Sequence, residues 1–425
     1  MRIILAFLAL AFGSACAAPV VLAQEWAGWR GANRDGKLVG FQPPATWPKE
    51  LEKGWQIEVG EGHATPALLD GKLYVFAHQG DEEVTLCLDA SSGKELWKDH
   101  YPCDAAFMLE GHQKPHGRGP FGSPAVVDGR VFTFGIRSTL SCIDAKTGKM
   151  LWRKDFADRF PKPQAEWGTS VSPIVVDGLC VIHAGGGPGP LRSGPGKGAI
   201  LAFDAATGTE RWKWEGDCAG FASPILATIG GKRQLITLTE SLAVGLDPKD
   251  GRLLWQVEFK TPYQQNSVTP VVLGDLVILS GTGLGTLAVR IEGEKAVPAW
   301  NTSDVSMYMS SPILKGERLF GFSEKKRGQF FCLDAKSGQV LWTGDGRQGD
   351  NAALLDAGDV ILALVTGAPN RDGPSSLVVF EANDKEYKEK ARYTVSDMPA
   401  WAHPVVSGRA IFIKDRTKLT RWSIP

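Results

Sequence analysis

The phrase CLDASSGKELWKD, which starts at Cys87, returns as CIDAKTGKMLWRK at Cys142 and as CLDAKSGQVLWTG at Cys332. A recurring phrase constrains a chain more than any single motif, because each copy must be one structural unit and the units must bury their apolar faces against one another. Its Asp falls at Asp89, Asp144, Asp204, Asp247 and Asp334, with degenerate copies centred on Ile291 and Glu381. The aromatic that follows falls at Trp97, Trp152, Trp212, Trp255, Trp300 and Trp342, with Tyr393 in the degenerate copy, at intervals of 42 to 60 residues.

Each copy is apolar alternation, then Asp-Ala-x-x-Gly, then alternation again. An Asp side chain accepts from backbone amides two residues on, and a glycine takes the positive φ that closes such a turn, so the phrase reads as a β-hairpin. A second phrase precedes each hairpin: ATPALLDGKLYVF, GSPAVVDGRVFTF, VSPIVVDGLCVIH, ASPILATIGGKRQLI, VTPVVLGDLVILS, SSPILKGERLFGF, AALLDAGDVILAL and AHPVVSGRAIFIK. These are also two strands around a tight turn. Two hairpins per unit make a four-stranded antiparallel blade, and eight units make a propeller. The eighth blade is split. Its first phrase starts near Ala402, its third strand spans Leu419 to Ser423, and LEKGWQIEVGEG, Leu51 to Gly62, stands alone ahead of the first blade with Trp55 in the repeat's Trp position. The fold class expected is all-β: an eight-bladed β-propeller of four-stranded antiparallel blades, its ring closed by an N-terminal strand that completes the last blade. Trp55, Trp97, Trp152, Trp212, Trp255, Trp300 and Trp342 are expected to dock blade against blade. The domain division is a signal peptide over 1–23, an N-terminal arm over 24–50 and one propeller over 51–425.

MRIILAFLALAFGSACAAPVVLAQ carries Arg2, an apolar run and small residues at Val21-Leu22-Ala23, which predicts export with cleavage after Ala23. An uncleaved anchor and lipidation at Cys16 are the other readings of the same segment. Lys plus Arg equals Asp plus Glu at 47 each, which leaves no basic stripe for nucleic acid. The cysteines beyond the leader show no CxxC spacing; Cys87, Cys142 and Cys332 share a register position with Ala202 and Gly245, as small core residues do.

The combination of xLDAxxGxxxW, SPxVxDGxVY and a leading WAGWRGANRDG at Trp26 to Gly36 resembles the pyrroloquinoline quinone (PQQ) repeat family over residues 26 to 425. The resemblance implies a tryptophan-docked eight-bladed propeller. It spans quinoprotein alcohol dehydrogenases and the propeller lipoprotein of the outer-membrane β-barrel assembly machinery. The dehydrogenases it resembles hold PQQ over a tryptophan floor with calcium, an Asp base and, in many members, a disulfide between adjacent cysteines. No two cysteines are adjacent here, and neither calcium ligands nor a base map onto named residues.

Other chemistry is not carried by the motifs present. His112 and His116 flank Pro115 between two glycines, which reads as a loop rather than a zinc helix. The run GGGPGPLRSGPGKG lacks phosphate-loop spacing, and GTGLG at Gly281 precedes strand rather than helix. The loops that enter the innermost strands are expected to meet on one face of the ring. Three places before each Pro, or before Ala353, stand His63, Phe121, Ser170, Phe221, Ser267, Met309, Asp350 and Trp401, with Glu166, Trp167, Tyr263, Gln264, Gln265, Asn266, Tyr308 and Asn351 close by. Aromatics beside amides, a His and two carboxylates suit a planar or polyhydroxylated ligand or an extended peptide; structural filling of a wide channel is the bland alternative. The function expected is that of an exported, monomeric, non-enzymatic binding or scaffold protein of the cell envelope, with an envelope protein or small ligand at the channel face and neither metal nor cofactor. The alternative is a dehydrogenase of alcohols or sugars using PQQ with calcium, and the weaker one a carbohydrate-binding or lyase-like propeller.

Overall fold

The computed structural model describes residues 25–104, 117–156, 158–160, 168–186, 197–367 and 373–425, apart from the side chain at 263. Eight four-stranded antiparallel sheets form the ring. Blades 1 to 7 span 67–102, 125–155, 174–214, 225–258, 271–302, 313–343 and 351–396, and blade 8 combines 405–423 with the strand Glu52–Glu58. That strand pairs antiparallel with Lys418–Ser423, from Glu52 opposite Ser423 to Glu58 opposite Lys418, and so closes the ring. Among the described residues no helix is long and apolar enough to cross a membrane.

The two repeated phrases have separate jobs. In the hairpin phrase, Asp89 Oδ1 accepts from the Ser92 amide at 2.8 Å, and Gly93, at φ 74°, donates its amide to Asp89 O at 2.8 Å. Asp144 makes the same turn with Thr147 and Gly148. That turn is then the landing site for the indole of the preceding blade. Trp97 Nε1 donates to Ala145 O at 3.1 Å, Trp152 to Ala205 O at 3.2 Å, Trp212 to Pro248 O at 3.1 Å, Trp300 to Ala335 O at 3.1 Å and Trp342 to Asn383 O at 2.9 Å. Trp55 of the closing strand donates to Ala90 O at 3.2 Å. The indole faces lie over the turn glycines: a Cβ on Gly148 would come within 2.7 Å of Trp97 and one on Gly208 within 2.8 Å of Trp152. Across the strand pair each indole faces a small residue, Cys87 opposite Trp97, Cys142 opposite Trp152 and Cys332 opposite Trp342. The six described cysteines are all buried free thiols.

Trp255 does not dock in this way. Its Nε1 donates to Gln234 Oε1 at 2.6 Å within its own blade, and it is 2 % exposed. Two local features account for the difference. Gly245 stands opposite Trp255, where Cys or Ala stands opposite the indoles of Trp97, Trp152, Trp212 and Trp300, so the ring folds back over its own sheet. Blade 5 also has no Asp-Ala-x-x-Gly turn to receive it, only Ile291-Glu292-Gly293. At the split blade, where chain ends replace the turn, Tyr393 of blade 7 donates instead to Pro48 O at 2.7 Å.

The residue ahead of the Pro, Ser or Thr in six blades and His403 in blade 8, links the innermost strands. The Thr65 amide donates to Ser123 Oγ at 3.1 Å, Ser123 to Ser172 Oγ at 2.9 Å, Ser172 to Ser223 Oγ at 2.9 Å, Thr269 to Ser311 Oγ at 3.0 Å and His403 to Thr65 Oγ1 at 2.9 Å. These bonds join neighbouring blades through residues 42 to 338 positions apart, where strand pairing cannot reach.

Apolar residues sit mainly between sheets. One cluster joins blades 6 and 7 through Phe320, Phe322, Phe330, Trp342 and Phe380, and another joins blades 2 and 3 through Phe132, Phe134, Phe156 and Phe203. Between blades 1 and 2 an apolar cluster of Ala67, Tyr74, Val126, Val131 and Ile143 is joined by a buried polar contact. Glu83 is fully buried, accepts from the Ile136 amide at 2.8 Å and from Tyr101 Oη, and lies against Gly135, which leaves no room for a Cβ. Burial pushes its carboxyl up to about 7, more strongly than the Ile136, Tyr101 and Cys103 hydrogen bonds and Arg153 pull it down. A carboxyl raised in the folded state holds its proton better folded than unfolded, so its contribution is full below the unfolded value and fades as pH rises through the folded one. Between about pH 4.5 and 7 the wild type is therefore expected to lose on the order of 2 to 3 kcal/mol that Glu83→Gln retains. Urea unfolding of both proteins at pH 4.5, 6 and 8 checks this; parallel pH profiles would show that Glu83 is ionised in the fold throughout.

Candidate functional site

A propeller's innermost strands are edge strands, so their free amides and carbonyls line the channel and need partners. The N-terminal arm supplies them. Trp26 exchanges backbone hydrogen bonds with Leu68 of blade 1, both at 2.8 Å, and the Val126 amide of blade 2 donates to Ala27 O at 2.7 Å. Arg34 donates to Pro173 O and, at 3.4 Å, to Ser172 O of the strand entry of blade 3, and to Pro224 O of blade 4 at 2.8 Å. Trp29 Nε1 donates to Thr269 Oγ1 beside blade 5 at 3.1 Å, and Arg30 donates to Pro312 O at blade 6. The Asp356 amide of blade 7 donates to Gly36 O and the Leu38 amide to Asp356 O, both at 2.9 Å. Trp29 meets His403 of blade 8 edge-on, with ring centroids 4.8 Å apart. Residues 26–38 thus touch all eight blades. An arginine fits this work because it has five donors and no acceptor, against a wall of carbonyls. Burial lowers Arg30 to about 10 and Arg34 to about 9, so both keep their charge at neutral pH.

Above the arm, at the loop face, lies a cavity of about 180 Å³. Every blade contributes to its wall: His63, Phe121, Ser170, Phe221 with Ser223, Gln265 with Ser267, Tyr308 with Met309, Asn351 and Trp401, in blade order, with Trp29 of the arm as the ninth element. A space this size admits a small organic ligand or on the order of ten waters. Its aromatics are organised: the His63 and Phe121 rings are nearly parallel at 6.3 Å, and Trp401 stands at 62° to His63, also at 6.3 Å. Its amides are fixed by hydroxyls, Gln265 Oε1 by Tyr308 Oη and Asn351 Oδ1 by Ser310 Oγ, both at 2.7 Å. Ser170 Oγ donates to Phe221 O at 3.1 Å. His403, just below, is held neutral, since burial first and Arg30 second push its imidazole down to about 3.

Of the residues singled out from the sequence, the structure gathers His63, Phe121, Phe221, Gln265, Tyr308, Asn351 and Trp401 around this cavity, together with Ser170, Ser267 and Met309. It does not bring Asn266 or Asp350 into the wall. Asn266 is wholly buried against blade 4, where Nδ2 donates to Phe259 O at 2.6 Å and Thr239 O at 2.8 Å and Oδ1 accepts from Thr261. Asp350 is exposed, its amide tied to Thr366 O, because blade 7 lacks the Pro and its first strand already begins at the next residue, Asn351, two places before Ala353, where the other blades begin one place after the Pro. Glu166, Trp167, the Tyr263 side chain, His112 and His116 lie outside the described residues. Sequence reasoning missed Trp29 and Ser223. Ser223 sat inside the ASP phrase, read there as a strand entry; Trp29 sat in the arm motif, whose insertion into the channel no periodicity announces.

No Asp, Glu, Lys or Arg is among the described residues of the wall, and among the described residues no group of three or more His, Cys, Asp or Glu is placed to hold a metal ion. What the wall offers is aromatic surface, hydroxyls and amide N–H groups. The family model described as outer membrane protein assembly factor BamB matches residues 80–344. The chain is 31 % identical over 165 residues to quinohemoprotein alcohol dehydrogenase ADH-IIG of Pseudomonas putida, 39 % of this chain but 21 % of the dehydrogenase. It is 28 % identical over 240 residues to outer membrane protein assembly factor BamB of Xanthomonas campestris pv. campestris, 52 % of this chain and 54 % of that protein. The chain therefore spans about a fifth of the first of these relatives and about half of the second. In fold it is similar to the quinohemoprotein alcohol dehydrogenase of Comamonas testosteroni, with a TM-score of 0.66 at 13 % identity over 94 % of this chain and 80 % of that one.

Proposed function

This chain belongs to the PQQ-repeat propeller family whose model is described as outer membrane protein assembly factor BamB, and from that premise we propose that it is a binding protein of the cell envelope whose working surface is the loop face around the plugged channel. The observation that carries the reading is the make-up of the cavity: one or two side chains from each of eight blades plus Trp29, with no Asp, Glu, Lys or Arg among the described residues of its aromatic and amide wall. Such a wall recognises by stacking and neutral hydrogen bonds, and its described residues place no carboxylate beside His63 to form an acid–base pair. Affinity capture from envelope extract tests it. The wild type should retain a specific partner or ligand that Trp401→Ala and Phe121→Ala lose, while both variants unfold with the wild-type profile. Recovery of nothing above background by the wild type, or retention unaffected by both variants, contradicts the proposal.

The alternative reading, a PQQ-dependent dehydrogenase, has in its favour the dehydrogenase relatives and an indole, Trp29, at the base of the cavity. The donor set does not suit the cofactor. PQQ is a carboxylate-bearing quinone, and the described wall has no Lys or Arg to pair with it and no carboxylate to share a calcium ion. The donors of Arg30 and Arg34 are turned to proline and other backbone carbonyls.

A further inference from the structure

Resting on the binding reading, we infer that the cavity takes a neutral sugar ring, either a free mono- or oligosaccharide or the terminal unit of a glycan. Three observations converge on this class. The first is that the cavity is blind. Residues 26–38 touch the inner edge of every blade below it, by hydrogen bonds at blades 1 to 7 and by the Trp29–His403 ring contact at blade 8, with Trp29 at its base, so a chain cannot thread through the ring. A blind recess accepts an end rather than the middle of a polymer.

The second is the balance of surfaces. A pyranose has an apolar C–H face and a rim of hydroxyls, each of which both donates and accepts. Trp29, Trp401, Phe121 and Tyr308 provide flat aromatic partners for such a face. The hydroxyls need the opposite kind of neighbour. The Gln265 and Asn351 amide oxygens are already taken by Tyr308 and Ser310 at 2.7 Å, which leaves their N–H groups as donors to a ligand oxygen. The serines of the wall, Ser223 and Ser267 among them, can serve either way.

The third is charge. The described residues of the wall include no carboxylate, lysine or arginine, so they do not favour an ion by pairing with it through such a group. Beneath the floor, Arg30 and Arg34 spend their hydrogen bonds on carbonyls. An extended peptide is the competing neutral occupant, and its two ends would have to leave by the same mouth.

The test is tryptophan fluorescence and calorimetric titration of the whole protein against a panel of neutral mono- and oligosaccharides, with glucuronate and a proline-rich peptide as the charged and peptide controls. The expected result is saturable binding of at least one neutral sugar that is unchanged between low and high salt. Trp401→Ala should weaken it about tenfold, and Gln265→Leu about fivefold at an unchanged unfolding midpoint. Binding confined to glucuronate and released by salt overturns the inference, as does binding of the peptide alone. If no sugar binds while envelope capture still depends on Trp401, the sugar assignment fails and the binding role of the cavity stands. If capture is also lost, both fail.

Discussion

Replacing Arg34 with Met should cost the fold about 3 kcal/mol and release the N-terminal arm to protease. The methionine keeps the stem and the volume but removes every donor, leaving the carbonyls of Ser172, Pro173 and Pro224 without the partner they have now. Buried acceptors stripped of a partner cost about 1 to 3 kcal/mol each, and relief of the guanidinium's own desolvation offsets part of that sum. The burial that lowers Arg34 to about 9 is the size of that offset in kind. Arg34→Lys is expected to lose nearly as much, because a single ammonium cannot span blades 3 and 4 as the planar fork does. Urea unfolding and timed proteolysis read both effects. A loss below about 1 kcal/mol with the arm still protected would mean that water, not the arm, satisfies the channel carbonyls.

Trp342→Ala is the second large effect, expected at about 3 to 5 kcal/mol. Trp342 is 7 % exposed, its nitrogen bonds Asn383 O of the next blade, and its ring meets Phe320, Phe380 and Tyr387 within 6.3 Å. Removing it takes away the aromatic centre of the cluster between blades 6 and 7 and the bond that fixes their angle. Trp255→Phe offers the contrast. That indole bonds Gln234 inside its own blade, so its replacement should cost less and leave the ring geometry intact. A Trp342→Ala loss below about 1 kcal/mol in urea would show that the repeated indole does not carry the blade contact.

The ring itself was readable because its code is local. Asp-Ala-x-x-Gly makes a turn wherever it occurs, and alternation on either side makes strands, so eight copies and a stray strand carrying Trp55 specify a closed propeller without any long-range contact being known. Even the exception at Trp255 has a local mark, the Gly245 that stands opposite it. The candidate site was legible only as a set of positions. Counting three residues back from Pro finds the right loops, and it finds His63, Phe121, Phe221 and Trp401, but it does not fix where a side chain points: Asn266 turns back onto blade 4 and Asp350 out to solvent. The arm was not legible. WAGWRGANRDG has neither strand nor helix period, and its contacts reach 138 to 282 residues along the chain from Arg34 and Arg30, a separation at which single hydrogen bonds leave no pattern in a sequence.

That the cavity binds by stacking and neutral hydrogen bonds, rather than by housing a redox cofactor, is tested most directly by titrating the purified protein with PQQ in calcium buffer while following tryptophan fluorescence and dye-linked oxidation of alcohols and sugars. A flat titration with no dye reduction is expected, because the described wall offers the quinone's carboxylates no cation and calcium no ligand set. Saturable quenching accompanied by turnover, with both abolished in Trp401→Ala, would contradict the account and make the cavity an active site.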